Sequence, residues 1–314
     1  MCTCANQESQ RLIHVAGNSV LDLPVRNVPL SMGPAADGWA RGNVHFLDRP
    51  VEGVLGGSGG ATAYLLGRLG VRVSLNTQVG GDVLGGVLRT WFDRANVDLL
   101  APPAAHTAVN VISLSPEGAR RSFYYTGEKV DWRRSLEVSE AGWFFASGYG
   151  QVDGGDLRVL IEVFGILQER GICVAFDPSP WFFKRASRAD MFRAWERVDC
   201  LLGTEAELAT WESGLDVEAL IERLLGYGPR WVAVKQGAKG AAFGDLEGAI
   251  GRVPAERIER AYTVGAGDTF NASVLDGLCR GLTLETAVQH GVRLATQAVR
   301  QGGGVLGALG DDGG

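Results

Sequence analysis

Nowhere does the chain hold an uninterrupted apolar run of about 20 residues, which argues against a transmembrane helix. The first 11 residues contain no apolar core of the kind a secretory signal needs, so a cytoplasmic location is expected. No Gly-x-x-x-x-Gly-Lys-Ser/Thr occurs, which argues against a P-loop enzyme, and no Gly-x-Gly-x-x-Gly opens a helix after the first strand, which argues against a dinucleotide site. Histidine is scarce. His14, His45, His106 and His290 do not pair at metal-ligand spacing and read as structural. Five cysteines show no framework spacing, which suits a reducing compartment. Cys173, Cys200 and Cys279 lie in apolar stretches and read as buried thiols, while Cys2 and Cys4 form a lone pair with no partner pair downstream. A formal net charge of −6 argues against a nucleic-acid partner.

Glycine is abundant, at 45 of 314 residues, and implies many tight turns and close backbone approaches. Apolar residues make up 46%, enough for a substantial core. Strand-like and helix-like segments alternate. Ile13–Ala16, Val71–Val79, Trp143–Ala146, Ile172–Asp177, Cys200–Leu202 and Trp231–Lys235 read as strands. Helices are expected at Ala61–Leu69, after Asp82, at Leu157–Arg170, near Glu205–Trp211, at Val217–Leu225 and from about Thr283 to Arg300. Such alternation implies βαβ units, and so a parallel sheet covered on both faces. Two stretches break the pattern. Residues 24–53 hold short extended pieces such as Asn43–Leu47, and residues 107–126 read as two strands about a turn at Pro116–Gly118. Together they could form a small sheet over the strands' C-terminal edge, where open α/β folds bind ligands, or remain two surface hairpins.

The most informative stretch is Tyr262-Thr263-Val264-Gly265-Ala266-Gly267-Asp268-Thr269-Phe270. Extended chain at Arg252–Pro254 precedes it. After it, Phe270, Val274, Leu275, Leu278 and Cys279 recur at helical spacing until Gly281. A small-residue loop opening a helix lets backbone N–H groups converge on an anion. Asp268 can cap that helix, or take a proton from a hydroxyl attacking a phosphoryl group held there.

This stretch resembles the C-terminal signature of the ribokinase-like (PfkB) carbohydrate kinases, Asp-Thr-x-Gly-Ala-Gly-Asp-x-Phe. The resemblance implies that Gly265, Ala266 and Gly267 form the anion hole and that Asp268 is the catalytic base. The family's first Asp, which helps hold a monovalent cation, is Tyr262 here, so dependence on K⁺ does not carry over. Gly56-Gly57-Ser58-Gly59-Gly60 and the following helix resemble the family's N-terminal signature, with Gly56, Gly57 and Ser58 beside the substrate and Ala61 in place of a sugar-binding Asn. Asn18 and Asp22 match the region where relatives bind sugar hydroxyls. A carboxylate suits a vicinal diol, though an Asn-Ser turn and a solvated Asp would look the same. Val79-Gly80-Gly81-Asp82-x-x-Gly85 matches a third motif, in which Asp82 reads as a helix cap.

Arg121 matches an Arg that relatives bring to the active site. Glu207, in Thr204-Glu205-Ala206-Glu207, matches the acidic residue that organises Mg²⁺ through water, with Thr204 replacing the family's Asn. Lys235, Gly237 and Gly240 resemble the Gly-x-x-Gly nucleotide loop that would meet ATP. The resemblance implies a single domain over residues 1–314 with a three-layer α/β/α fold, a mostly parallel sheet and a small β lid. It implies an ATP- and Mg²⁺-dependent kinase for a sugar hydroxymethyl group. Exposed lid strands could also pair two subunits into a homodimer. Three alternatives remain open. The aromatic residues Trp39, Phe46, Tyr124 and Tyr125 would suit a nucleoside kinase. The substitutions at Ala61, Thr204 and Tyr262 would suit a regulatory protein on the same fold. Gly56–Gly60 also spells the Gly-x-Ser-x-Gly of a hydrolase, with Ser58 as nucleophile and Asp177 or Asp199 with His290 completing a triad.

Overall fold

The computed structural model describes residues 12–28, 46–116, 119–212, 214–258, 263–302 and 304–309. Expectations at Cys2, Cys4, Trp39, residues 43–45 and Tyr262 lie outside them.

The first half of the chain forms β1 (Leu12–Ala16), β2 (Val20–Arg26), β3 (Val54–Gly56), α1 (Ser58–Arg68), β4 (Arg72–Asn76), β5 (Val79–Gly80), α2 (Val83–Arg94) and β6 (Val97–Leu99). Next come β7 (Pro103–Ala104), β8 (Val109–Leu114), β9 (Arg120–Tyr125), a 3₁₀ turn at Trp132–Glu137, β10 (Trp143–Ser147) and α3 (Gly154–Glu169). The second half forms β11 (Cys173–Asp177), α4 (Ser179–Arg185), α5 (Arg188–Trp195), β12 (Cys200–Thr204), α6 (Glu205–Leu208), α7 (Val217–Leu225) and β13 (Trp231–Lys235). It closes with β14 (Ala241–Asp245), β15 (Ile250–Val253), α8 (Ala266–Cys279) and α9 (Leu284–Gln301).

Nine of these strands make one sheet in the order β15-β14-β13-β12-β11-β10-β1-β4-β6. It is parallel from β6 to β13, and β14 and β15 run antiparallel at one edge. That hairpin makes the sheet mostly parallel, as the family resemblance implies, although the alternation of strands and helices did not point to it. Ala241-Ala242-Phe243-Gly244-Asp245 has no β-branched residue and gave no strand signal of its own.

Alternation along the buried strands feeds two cores. Ile13, Val15, Trp143, Phe145, Cys200 and Leu202 face one side, under α1, α2, α8 and α9. Ala16, Phe144, Ala146, Val174, Phe176 and Leu201 face the other, under α3, α4, α5 and α7. Helices therefore cover both faces, as the apolar runs of the strands require. Helix ends follow local chemistry. Asp82, Asp153, Asp216 and Thr283 cap α2, α3, α7 and α9, and Gly281 at φ 78° lies just beyond α8. Among the cysteines, Cys200 is a buried thiol as expected, whereas Cys173 is buried but disulfide-bonded.

A second, four-stranded sheet has the order β3-β2-β8-β9. The segment read as starting at Pro24 begins at Val20, and Phe46-Leu47 belongs to no strand. The expected strand Val71–Val79 divides, because Val79-Gly80 leaves the large sheet to pair with Pro103-Ala104. Asp82 ties this crossing to the second sheet. Besides capping α2 through Gly85 N–H (2.8 Å), it accepts from Thr107 N–H (3.0 Å) and Thr107 Oγ1 (2.5 Å), just before β8.

Candidate active site

The order of the large sheet reverses between β1 and β10, and a crevice opens outside the strands' C-terminal ends at such a point. Asn18 and Tyr149 follow β1 and β10, and Asp177, Thr204 and Lys235 end β11, β12 and β13. All five line one cleft of about 750 Å³, whose other wall is the four-stranded sheet.

The floor is the start of α8. Gly265 adopts φ 83° and leaves the helix without a side-chain cap. A β-carbon there would stand 2.7 Å from Val305 Cγ1, so both conformation and space require glycine. Ala266 N–H bonds Thr263 O, and the next N–H groups of the first turn are left to the cleft. Asp268 sits among them, half-buried, hydrogen-bonded to Ser58 at the opening of α1. Burial raises its pKa, against the Ser58 hydrogen bond and the Lys235 charge, while Asp177 raises it further.

Beside Asp268 lies a buried ion pair. Lys235 Nζ donates to Asp177 Oδ2 (2.7 Å) and to Asn271 Oδ1 (3.2 Å), and Asn271 Nδ2 donates to the same Asp177 oxygen (2.7 Å). Burial alone would lower the Lys235 pKa, but Asp177, Glu207 and Asp268 outweigh it and hold the ammonium charged. Glu207 caps α6 in a box with Thr204, its Oε2 accepting from Thr204 N–H at 2.8 Å. Burial and then Asp177 raise its pKa.

At one end of the cleft, three strands present one row. Asp22 on β2 stands beside Asn110 on β8, which stands beside Tyr124 on β9. Asn110 Nδ2 donates to Asp22 Oδ1 (3.1 Å), and Asn18 Nδ2 donates to Tyr124 OH (3.3 Å). The buried Oδ1 atoms of Asn18 and Asn110 have no partner among the described residues. Burial lifts the Asp22 pKa to about 6, against the Asn110 hydrogen bond and the Arg120 charge. Gly56 makes room for this carboxylate, since a β-carbon would lie 2.4 Å from Asp22 Oδ2. At the other end, Gly237 (φ 60°) and Gly240 (φ 97°) face an apolar wall from α9 that includes Val292, Ala295 and Val299.

Residues 33–309 match the family model described as pfkB family carbohydrate kinase. The chain belongs to this family. It is 26% identical over 284 residues to the 2-dehydro-3-deoxygluconokinase of Bacillus subtilis (strain 168), covering 83% of this chain and 85% of that one. It is 24% identical over 246 residues to the probable fructokinase-6, chloroplastic, of Arabidopsis thaliana, a match covering 73% of this chain and 63% of the relative's length. The structure of the Arabidopsis thaliana ribokinase complexed with ribose and ATP superposes with a TM-score of 0.75 at 18% identity, covering 96% of each chain. The fold is therefore ribokinase-like, and the enzyme is a phosphotransferase acting on a sugar hydroxyl.

In this carbohydrate kinase, the cleft gathers nearly every residue singled out from sequence. Gly265, Ala266, Gly267 and Asp268 line it, as do Asn18, Asp22, Gly56, Gly57 and Ser58. Glu207, Lys235, Gly237 and Gly240 line it too. Arg121 does not. Strand side chains alternate, so Arg120, Ser122 and Tyr124 turn to the cleft and Arg121 turns away. The hydrolase arrangement is not assembled. Ser58 meets Asp268, His290 is exposed on α9 outside the cleft, and Asp199 Oδ2 accepts from Val174 N–H. Asn110, Tyr149, Trp181 and the Asp177–Asn271 pair escaped the sequence reading. Asn110 left a usable sign, a lone amide in the apolar run Ala108-Val109-Asn110-Val111-Ile112.

Proposed function

We propose that this kinase transfers the γ-phosphoryl group of ATP to a hydroxymethyl group of a sugar or polyol, with Asp268 as general base. The observation carrying this is a half-buried carboxylate set at the uncapped start of α8, facing a cleft whose far wall offers unpaired hydroxyl acceptors. Asp22 and the Oδ1 atoms of Asn18 and Asn110 would accept from acceptor hydroxyls and orient the chain so that its last hydroxyl meets Asp268. Asp268 would take that hydroxyl's proton, and its raised pKa strengthens it as a base. The N–H groups of Gly265 and Gly267 would receive the charge of the transferred group, Ala266 N–H being bonded to Thr263 O. ATP supplies that group, with its base end at Gly237, Gly240 and the apolar wall of α9.

A hydrated Mg²⁺ fits the donor set. Asp177, Glu207 and Asp268 stand against a single ammonium, which leaves excess negative charge for a cation. Among the described residues no cluster of three ligating side chains exists, so Glu207 would hold Mg²⁺ through water, as this ion favours. When bound, Mg²⁺ neutralises charge on the phosphates. In this reading residues 1–314 form one domain, the four-stranded sheet serves as the lid that excludes water, and its edge strand β9, with exposed Phe123 and Tyr125, is where a second copy would pair. Among the described residues no helix is long and apolar enough to cross a membrane.

The test is ADP release with Mg·ATP against pentoses, hexoses, sugar acids and nucleosides, run for wild type and Asp268→Asn. One acceptor should turn over, and the variant should lose about 10²- to 10⁴-fold in kcat while melting like wild type. Equal turnover by the variant would remove Asp268 as base, and absence of turnover with every acceptor would remove the kinase reading itself.

A further inference from the structure

The acceptor end of the cleft is not lined for a neutral sugar alone. Arg120 projects into it from β9, and its one hydrogen bond among the described residues is to Ser122 Oγ at 3.3 Å. It takes part in no salt bridge among them, whereas the cation on the opposite wall of the cleft, Lys235, is committed to Asp177. The charge of Arg120 is felt by Asp22 and by Tyr149. Arg120 shares a face of β9 with Tyr124, which stands in the acceptor row, and so belongs to that end of the cleft.

A second cationic feature borders the same end. Trp181 lines the cleft and carries Lys184 and Arg185 over its ring, at 5.1 and 5.0 Å. The turn Gly148–Gly150 places α4 there. A β-carbon on Gly150 would touch the Asn18 side chain at 3.1 Å, and one on Gly148 would meet Phe182 of α4 at 2.5 Å. Lys184 and Arg185 are exposed, so they contribute long-range attraction, while Arg120 supplies the contact.

Strand geometry sets the span. Arg120 lies four residues from Tyr124 on the same face of β9, about 13 Å along the strand. A long guanidinium side chain reaching back toward Asp22 would meet the far end of an acceptor held by the row of Asp22, Asn110 and Tyr124. Closing the cleft over a neutral sugar would strip water from Arg120 and leave it no carboxylate in ion-pair contact among the described residues, with only the Asp22 charge beyond that contact, which is costly. An acceptor with an anionic group at its far end removes that cost and gains a charge-assisted, bidentate contact.

From this we infer that the natural acceptor is an anionic sugar, bearing a carboxylate or phosphate at the end remote from the transferred hydroxyl, and that Arg120 reads that group. The inference rests on the kinase reading above.

The experiment compares D-gluconate, 2-dehydro-3-deoxy-D-gluconate, D-fructose 6-phosphate, D-fructose and D-ribose as acceptors, in wild type, Arg120→Gln, Arg120→Lys and Arg121→Gln. Wild type should favour an anionic acceptor over the neutral ones in kcat/KM. The two acids against the sugar phosphate distinguish carboxylate from phosphate as the group read. Arg120→Gln should reduce the anionic-to-neutral ratio about 10- to 100-fold, mainly through KM. Arg120→Lys should recover part of the ratio, and Arg121→Gln should hold it. A wild-type preference for neutral sugars overturns the inference. So does a loss in Arg120→Gln that falls equally on neutral and anionic acceptors, which would assign Arg120 to the transferred phosphoryl group instead. If no acceptor turns over, the kinase reading fails, and calorimetric titration of the same anions into wild type and Arg120→Gln still decides the site. Binding lost with the arginine supports it, and equal binding refutes it.

Discussion

Replacing Lys235 by Met separates the phosphate-binding role read from the sequence from the role the structure adds, counter-ion of a buried carboxylate. The Asp177 side chain is 3% exposed and that of Lys235 14%, so the pair lies within the protein. Removing the cation strands the Asp177 charge, and breaking one partner of a buried pair costs about 3–5 kcal/mol. Asn271 Nδ2 at 2.7 Å and Ser179 N–H at 3.2 Å still serve the carboxylate, which argues for the lower end, about 3 kcal/mol. Urea unfolding of wild type, Lys235→Met, Asp177→Asn and the double variant measures it. The double variant should be more stable than Lys235→Met, because an amide leaves no stranded charge, giving a coupling well above 1 kcal/mol. A loss below about 1 kcal/mol for Lys235→Met, with a raised KM for ATP, would refute this account and make Lys235 a phosphate ligand alone.

Asp22 predicts a pH dependence of two opposite signs. Acceptor kcat/KM should fall as pH drops through about 6, where the hydroxyl-accepting carboxylate gains a proton. Stability should move the other way. The folded pKa lies above the unfolded value of 3.8, so the folded state binds the proton more tightly and stability is gained as pH falls from 6 toward 4. Asp22→Asn should thus be more stable than wild type at pH 8, by on the order of 2 kcal/mol, while losing acceptor affinity. A variant less stable than wild type at that pH would show that burial is not what shifts the group. Gly265→Ala tests the floor of the site. With φ 83° and Val305 Cγ1 2.7 Å from the added carbon, it should lower stability by more than about 1 kcal/mol and depress kcat, whereas Gly248→Ala, at φ 94° in open space, should carry backbone strain alone and leave kcat intact.

Much of the architecture was legible because short-range signals were unopposed. Buried runs such as Trp143–Ala146 have one use, as central strands, and α8 and α9 show their apolar faces in period. The Gly-Ala-Gly-Asp turn was legible for the same reason, since its chemistry is local to one loop and one helix end. The site was less so where face or distance decided. Arg120 and Arg121 are equivalent in sequence, and only the pairing of β9 with β8 determines which turns inward. Lys235 reads as a free cation until the fold brings Asp177 and Asn271, 58 and 36 residues away, within hydrogen-bonding distance. Asp82 reads as a cap because Gly85 is near in sequence. Its bonds to Thr107, 25 residues on, need the turn between them.

Local sequence was enough to place the alternation of strands and helices, the glycine positions at which the backbone meets a ligand, and the carboxylate at the start of α8. These follow from apolar period, from conformations that only glycine adopts readily, and from capping chemistry within one turn. Tertiary structure decided which charges cancel, which acceptors remain unpaired, and which arginine faces the cleft. Electrostatic partners and strand faces depend on register across elements far apart in the chain, and no local pattern encodes that register.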